Sequence, residues 1–323
     1  MYLCIYDRCE HVVKKYLTLI AVGLFTVSAF AQYRIEFSQY MLNLNTINPA
    51  AAGNNDMINV FGTLRSQHSG FDGAPLTYDI SADLGFKIGS TKHGAYVGFY
   101  DNRVGLFRYQ EVSIGYAYRL PLFDGHLSGG LHVDFNTVSY DTERLHEVES
   151  DYHSSGDPVI AQTNGNDFHI DLNVGFLYKS PRWWAGVTLR NILTPEYELG
   201  TNTFYKKTMN FYTMGGYNFK FANPLYLLKV SAVVNTDFIS WSGIANANIE
   251  YKERYWGGIG YRIDGAVVFM AGLKVFNGLV IGYSFDLPTS ALIKSAGNHE
   301  VVLSYSFTFD RANKNKYKSI RFL

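Results

Sequence analysis

The amino-acid sequence predicts an all-β fold: a single transmembrane antiparallel β-barrel of about 14 strands, with short periplasmic turns and longer extracellular loops. Three observations support this prediction. Apolar and polar residues alternate with a period of two over most of the chain after residue 32, as in strands with one apolar face. The polar positions hold mainly Gly, Ser, Asn and Ala, and charged residues make up 17% of the chain, below the ~25% of soluble domains. Fourteen segments alternate in this way, and bacterial outer-membrane barrels have an even number of strands.

Composition excludes several other classes of protein. The 323 residues include 28 basic and 28 acidic side chains, so the formal charge of zero gives no electrostatic reason to expect a nucleic-acid partner. With 25 Tyr and 23 Phe, the chain contains too much apolar surface for an intrinsically disordered protein. After residue 32 no apolar run reaches the ~18 residues of a membrane-spanning helix, which excludes a helical membrane bundle.

Residues 1–31 are predicted to be a cleaved signal peptide. Two lysines precede an apolar run at 16–30, and Ala29-Phe30-Ala31 places small residues where cleavage requires them. The alternative is an uncleaved anchor, but the run is shorter than the ~20 residues that cross a bilayer. Both cysteines of the chain lie in this leader, so the exported chain is expected to contain neither disulfides nor thiolate metal sites.

Residues 32–55 are predicted to form an N-terminal segment that packs inside the barrel or beneath it, on the periplasmic side. Asn48-Pro49 interrupts regular structure. The following run, Ala50-Ala51-Ala52-Gly53, allows another stretch of backbone to approach closely because its side chains are small or absent. The alternative interpretation is a simple leader into the first strand.

Residues 56–309 are predicted to form the barrel. Hydrocarbon offers no hydrogen-bond partner to a free sheet edge, so the first and last strands must pair. The connections after even-numbered strands are nearly all tight turns, whereas the two longest loops, near 141–166 and 194–207, follow odd-numbered strands. Such sorting of loop length is typical of membrane barrels. The predicted strands lie near 56–71, 76–86, 93–107, 108–122, 125–140, 167–180, 182–193, 208–221, 225–237, 242–253, 254–264, 266–276, 279–290 and 297–309.

Aromatic residues near strand ends are expected to form two belts at the membrane interfaces. These residues are Tyr109, Tyr178, Trp183, Trp184, Tyr255 and Trp256. Charged residues of the polar face are expected to point into the barrel, where they either define a path for ions or pair with one another, and the second interpretation is preferred. These charged residues include Glu111, Arg119, Asp134, Lys179, Lys229, Arg262 and Asp286.

No catalytic motif is present, and the chain is predicted to be a non-enzymatic protein without cofactor or metal. The sequence lacks a Gly-x-Ser-x-Gly elbow, a Gly-rich phosphate loop and a His-Glu-x-x-His pair. His299 with Ser304 or Ser306 is the remaining combination for a hydrolase, and a structural role is preferred for it. Oxygen ligands in the acidic stretch 141–171 could hold Ca²⁺, but the Asp-x-Asp-x-Asp-Gly spacing is missing, so a solvated loop is expected.

The C-terminal tail, residues 310–323, is basic. It contains five Lys and Arg residues against one Asp. Because an even number of strands leaves both termini on the periplasmic side, the tail either docks an acidic periplasmic partner or is simply solvated.

Several stretches of the sequence form recognisable motif blocks. They are Ser38-Gln39-Tyr40-Met41 with Asn48-Pro49-Ala50-Ala51-Ala52-Gly53, then Arg65-Ser66-Gln67-His68 with Gly70-Phe71-Asp72-Gly73-Ala74-Pro75, and finally Gly297-Asn298-His299-Glu300. The sequence in these blocks resembles the PorP/SprF family of outer-membrane proteins, which are associated with the type IX secretion system of Bacteroidota.

The resemblance implies an outer-membrane barrel that helps specific cargo proteins, such as adhesins of gliding cells, to be secreted or held at the cell surface. Implied partners are this cargo, type IX secretion components and outer-membrane lipid. The alternative function is a passive channel for small solutes. The resemblance assigns no individual role to the motif positions, which are Gln39, Tyr40, Met41, Asn48, Pro49, Ala50, Gly53, Arg65, Phe71, Asp72, Gly73, Pro75, His299 and Glu300.

Overall fold

The computed structural model describes residues 37–140, 165–199, 204–263, 265–275, 278–289 and 295–308. The predicted signal peptide, most of the acidic stretch and the basic tail lie outside these residues. Within them, no helix is long and apolar enough to cross a membrane.

Fourteen antiparallel strands in the described residues form a closed barrel, which confirms the predicted fold. The first strand pairs with the last, with Ile58 opposite Phe307 and Ser66 opposite His299. Each predicted segment coincides with one barrel strand, and the largest boundary error is at the end of the first. The barrel strands are Ile58–Ser66 (β1), Leu76–Ile88 (β2), Thr91–Val104 (β3), Phe107–Leu122 (β4), Gly125–Tyr140 (β5), Gly165–Lys179 (β6), Trp183–Arg190 (β7), Asn210–Lys220 (β10), Tyr226–Thr236 (β11), Trp241–Tyr251 (β12), Tyr255–Arg262 (β13), Ala266–Lys274 (β14), Leu279–Pro288 (β15) and Asn298–Phe307 (β16).

The period-two pattern separates an apolar outer face from a polar inner face. In β16, Leu303 and Tyr305 point outward and are 48% and 41% exposed, whereas Glu300 and Ser306 point inward and are fully buried. In a membrane the outward row faces lipid, which makes these exposed apolar side chains favourable rather than costly.

Connections at one end of the barrel are short, from two to five residues, and we call this the short-turn end. The opposite, long-loop end carries the β1–β2 and β15–β16 loops, the 141–164 connection and the 191–209 connection. The last of these contains two strands that the sequence pattern did not reveal, Glu196–Glu198 (β8) and Phe204–Lys206 (β9), which pair as a hairpin. In outer-membrane barrels the short turns are periplasmic.

The prediction of two aromatic belts is correct for only some of the six residues named for them. Trp183 and Tyr255 point outward and are exposed. Trp184 and Trp256 instead pack inward against the buried cluster inside the barrel, and Tyr109 lines an internal cavity. The prediction failed for these two tryptophans because Trp184 follows Trp183 and Trp256 follows Tyr255, and adjacent residues of a strand point to opposite faces.

The N-terminal segment lies inside the barrel, where it contacts strands on several sides of the wall. We call residues 37–55 the plug segment. It contains three 3₁₀ turns, Tyr40–Leu42, Leu44–Thr46 and Pro49–Ala51, and it carries no charged residue. Asn48 begins the third turn by accepting a hydrogen bond from the Ala50 N–H at 2.9 Å, as a helix N-cap does.

Small residues let the plug segment lie directly against the barrel wall. A Cβ atom on Gly94 would fall 2.0 Å from the carbonyl oxygen of Ala52, and one on Gly130 would fall 2.4 Å from the backbone nitrogen of Ala50. Only glycine fits at these two wall positions. The alanine run is therefore explained by backbone-to-backbone contact.

Candidate functional site

The plug segment is held at its start by a cluster of four buried charges, Arg65, Arg262, Asp286 and Glu300. Arg65 is fully buried and ion-pairs with Asp286 at 2.6 Å and with Glu300 at 2.8 Å. Arg262 lies 3.6 Å from Asp286. Two positive and two negative side chains give the cluster a net charge of zero, which is the condition under which buried charges are tolerated.

Ser38 connects this charge cluster to the plug segment. Its backbone N–H donates to Glu300 at 2.8 Å, and its hydroxyl donates to Asp286 at 2.7 Å. The guanidinium groups of Arg65 and Arg262 donate to the same hydroxyl oxygen, at 2.9 and 2.8 Å. The Gln39 N–H also donates to Glu300, at 2.8 Å. Charge-assisted hydrogen bonds of this kind are stronger than neutral ones, so the start of the segment is firmly attached.

Further contacts attach the remainder of the plug segment to strands around the barrel. Asn43 donates to Ser81 of β2 at 2.9 Å. Asn48 donates to the Phe176 carbonyl of β6 at 3.0 Å, and the Gly53 N–H donates to Asp83 at 2.6 Å. Apolar side chains of the segment, including Met41 and Leu44, pack with Met214, Val233 and Ile244 of the wall. The segment is thus a packed part of the barrel interior.

A second charge cluster lies toward the long-loop end. Arg190 contacts Glu111 at 3.3 Å and Asp134 at 3.6 Å, and it donates to the Thr46 carbonyl of the plug segment. Lys207 lies 3.7 Å from Glu111. Toward the short-turn end, Glu250 is paired with both Lys229 and Lys274, and Arg119 donates to the Ala52 carbonyl.

A cavity of about 390 Å³ lies at the long-loop end, above the second charge cluster, and we call it the mouth cavity. Aromatic side chains form part of its wall, including Tyr100, Tyr109 and Tyr205. Side-chain amides form much of the rest. Glu111 and Lys207 also line it, so the cavity and the plug segment are connected through the Glu111–Arg190–Thr46 contacts.

The structure brings many of the motif positions together and separates others from them. The positions in the lumen are Gln39, Tyr40, Met41, Asn48, Pro49, Ala50, Gly53, Arg65 and Glu300. The positions in the β1–β2 loop at the long-loop end are Phe71, Asp72, Gly73 and Pro75. His299 points outward from β16, where its ring nitrogen contacts the Tyr283 hydroxyl at 2.7 Å.

The residues considered for catalysis and for metal binding do not form a site in the described structure. His299 lies on the outer face of β16, whereas Ser304 and Ser306 lie on the inner face, so the strand separates them. Among the described residues, no group of three His, Cys, Asp or Glu side chains could hold a metal ion. The stretch 141–164 of the acidic loop lies outside the described residues.

All seven charged positions predicted for the interior do face it, and the paired arrangement was the correct interpretation for those whose partners are described. Sequence reasoning missed Arg190, Lys207 and Glu250 as their partners. Arg190 is the last residue of an alternating segment and occupies one of its polar positions, so the alternation alone would have placed its side chain in the lumen. Lys207 belongs to an irregular connection, where no period-two alternation predicts which way a side chain points.

A comparison with models of protein families decides which family the chain belongs to. The model described as type IX secretion system membrane protein PorP/SprF matches residues 29–305. The chain belongs to this family. The PorP/SprF match spans the plug segment and the barrel together, and an outer-membrane location follows from this family and fold. A comparison with curated protein sequences gave no significant match.

Solved structures with the same architecture are outer-membrane barrels. The Ralstonia pickettii toluene transporter TbuX is similar with a TM-score of 0.50 at 10% identity, covering 85% of this chain and 94% of that chain. The monoaromatic hydrocarbon channel CymD has a TM-score of 0.47 at 9% identity, with coverages of 86% and 94%. Omp33 of Acinetobacter baumannii has a TM-score of 0.45 at 8% identity, with coverages of 80% and 100%. At such identities the likeness concerns the fold alone.

Proposed function

We propose that this PorP/SprF protein is a non-enzymatic barrel that supports type IX secretion or surface attachment of a specific cargo protein, such as an adhesin. The observation that carries the proposal is the plug segment, which occupies the lumen. A passive channel for small solutes requires a continuous water path, and here the plug segment lies in that space, in backbone-to-backbone contact with the wall at Gly94 and Gly130.

The pattern of charges supports the same conclusion. An ion-conducting pore keeps charged side chains available to passing ions. In this lumen the charges at Arg65, Asp286, Glu300 and Glu250 are engaged in short ion pairs with one another or with neighbouring lysines. A charge that is already compensated contributes little to ion selectivity, so the interior is suited to holding the plug segment.

Cargo contact is assigned to the long-loop end. Its loops are mounted on a rigid barrel, which is the usual arrangement for binding surfaces. Phe71 of the β1–β2 loop is 50% exposed there, so it is the side chain chosen to test contact with the cargo. Residues 1–31 are proposed to be removed on export.

Deleting the gene and measuring surface adhesins tests the cargo role. Loss of one or more cargo proteins from the surface is expected. In the complemented strain, Phe71→Ala should reduce cargo retention, while Phe123→Ala at the short-turn end should not. Phe123 is a matched control because it is also an exposed loop phenylalanine. Unchanged secretion and retention of every cargo in the deletion strain would overturn the proposal.

Planar-bilayer conductance separates the cargo role from the channel alternative. The complete mature barrel should give no large, stable current, and a variant lacking residues 37–55 should conduct if it folds. Folding of the variant is checked by its heat-dependent shift in gel mobility. A wild-type current as large as that of the variant would favour the channel.

A further inference from the structure

We propose that the mouth cavity is a binding site for a neutral sugar residue of a glycan. Its volume of about 390 Å³ falls within the range of roughly 300–1,000 Å³ that small-molecule pockets occupy. The site lies at the long-loop end, and it is lined by the barrel wall, by β9 with the segment after it, and by Gln67 and Pro75 of the β1–β2 loop.

Tyrosine rings provide an apolar surface in this cavity. The rings of Tyr109 and Tyr205 meet edge to face, with centroids 5.6 Å apart and planes 63° apart. Two rings at this angle form a corner. A pyranose ring has an apolar C–H face that packs on an aromatic ring and a rim of hydroxyls that requires hydrogen bonds, so it matches an aromatic corner bordered by polar groups. Burial raises the pKa of Tyr205, which keeps its hydroxyl a donor.

Side-chain amides provide the polar part of the wall. Gln67, Asn102, Gln110, Asn136, Asn191 and Asn210 all line the cavity. Each amide carries both donors and an acceptor, although Oδ1 of Asn102 already accepts from Thr77 and Oδ1 of Asn136 accepts from Lys207. The remaining donors and acceptors are of the kind that neighbouring sugar hydroxyls need.

The charges at the cavity are already compensated, which favours a neutral ligand over an ionic one. Glu111 contacts Arg190 at 3.3 Å and Lys207 at 3.7 Å. Lys207 also donates to Asn136 at 2.7 Å. An anion would have to compete with Glu111 for Lys207, and a cation would have to displace the same lysine.

The backbone around the cavity favours a sugar over a peptide. Extended peptides commonly bind by adding a strand to an unpaired sheet edge. Here β3 pairs with β4 through Asn102 and Tyr109, and β4 pairs with β5 through Gln110 and Thr137. The barrel wall therefore offers side chains rather than a free strand edge. In the described residues β9, which carries Tyr205, pairs on one side only, but it is three residues long and gives a peptide little edge to extend.

The test is saturation-transfer NMR on the purified mature protein in lauryldimethylamine oxide, a detergent without sugar. The probes are the methyl glycosides of glucose, galactose, mannose and N-acetylglucosamine at 10 mM. At least one should receive saturation, strongest at its ring C–H protons, and the signal should be insensitive to NaCl between 50 and 500 mM because no charge is involved.

The variants locate the site. Tyr205→Ala should lower the signal at least fivefold, and Gln110→Leu should lower it as well. Phe204→Ala is the matched control, because Phe204 neighbours Tyr205 in β9 but is exposed and does not line the cavity. Heat-modified gel mobility confirms that each variant is a folded barrel.

Three results would overturn the proposal: no saturation with any of the four glycosides, an equal signal in Tyr205→Ala, or binding that disappears at high salt. Binding of a neutral tyrosine-rich peptide with no response from the glycosides would assign the cavity to a protein segment instead. Because the assay uses purified protein alone, its outcome is independent of the secretion test.

Discussion

Replacing Arg65 by Met is the sharpest test of how the plug segment is held. The substitution removes ion pairs to Asp286 and Glu300, and it also removes a hydrogen bond to Ser38. Arg262 still lies 3.6 Å from Asp286. The change therefore leaves Glu300 as a fully buried carboxylate without the guanidinium that compensated it. Breaking a buried ion pair from one side costs about 3–5 kcal/mol, a large fraction of the stability of a typical domain.

The assay is urea unfolding of the barrel in detergent, followed by tryptophan fluorescence. Trp184 and Trp256 pack against the cluster that includes the plug segment, so their emission reports on it. Arg108→Met is the matched control. Arg108 pairs with Asp101 at 2.5 Å and is 40% exposed, and Arg103 lies 3.9 Å from the same carboxylate. Asp101 therefore keeps a cation nearby, and the loss of stability should be smaller than for Arg65→Met.

A double-mutant cycle separates charge from packing. Arg65→Met gives the cluster a net charge of −1, Glu300→Gln gives +1, and the double variant returns it to zero. The double variant should therefore be less destabilised than the sum of the two single variants, by about 0.5–3 kcal/mol. Additive effects, or an Arg65→Met variant as stable as Arg108→Met, would refute the reasoning.

Further predictions concern the wall, the acid response and the outer surface. Gly130→Ala should destabilise the barrel by about 1–3 kcal/mol because its methyl group would overlap the Ala50 backbone. Gly62→Ala, with nothing within 4 Å of its Cβ, should stay within about 0.5 kcal/mol in the same urea experiment. Although burial would raise the pKa of Asp56, its hydrogen bond to Lys92 and the charge of that lysine lower it below 3.8. The pair therefore adds stability above the ordinary carboxyl pKa and loses it as the pH falls through the lowered value. Asp56→Asn should consequently show a slightly shallower loss of stability between pH 5 and pH 2, an effect of at most ~1 kcal/mol, and an identical pH profile would contradict this. Leu303→Lys on the lipid-facing row should reduce folding into vesicles, by about 2–4 kcal/mol if the position is near the bilayer midplane, whereas Ser304→Ala on the inner face should not. Equal folding yields would argue against lipid on that face.

The strands could be predicted from the sequence because each is long enough for the period of two to be visible. In β16 the alternation of Leu303 and Tyr305 with Ser304 and Ser306 predicts both the element and the faces. The β8–β9 hairpin could not be found in this way, since three residues such as Glu196-Tyr197-Glu198 do not define a period.

The sequence predicts which residues face the interior of the barrel, but it does not predict which of them form ion pairs. Alternation places Asp286 and Glu300 on the inner face, but it does not say which basic residue reaches them. Arg65 lies directly opposite Glu300 because β1 pairs with β16, and that register is set by barrel closure rather than by a turn. The conformation of the plug segment depends on the same closure, because its contacts are with strands distant in sequence.

The pairing of Arg65 with Glu300 joins parts of the chain that emerge from the ribosome far apart in time. These charges have their partners only when several parts of the chain are in place together. The parts are Ser38 of the plug segment, β1, β15 and β16. A truncated or half-assembled chain would present unpaired charges beside an open seam, at the point where lipid would otherwise enter. The cluster therefore couples attachment of the plug segment to closure of the cylinder.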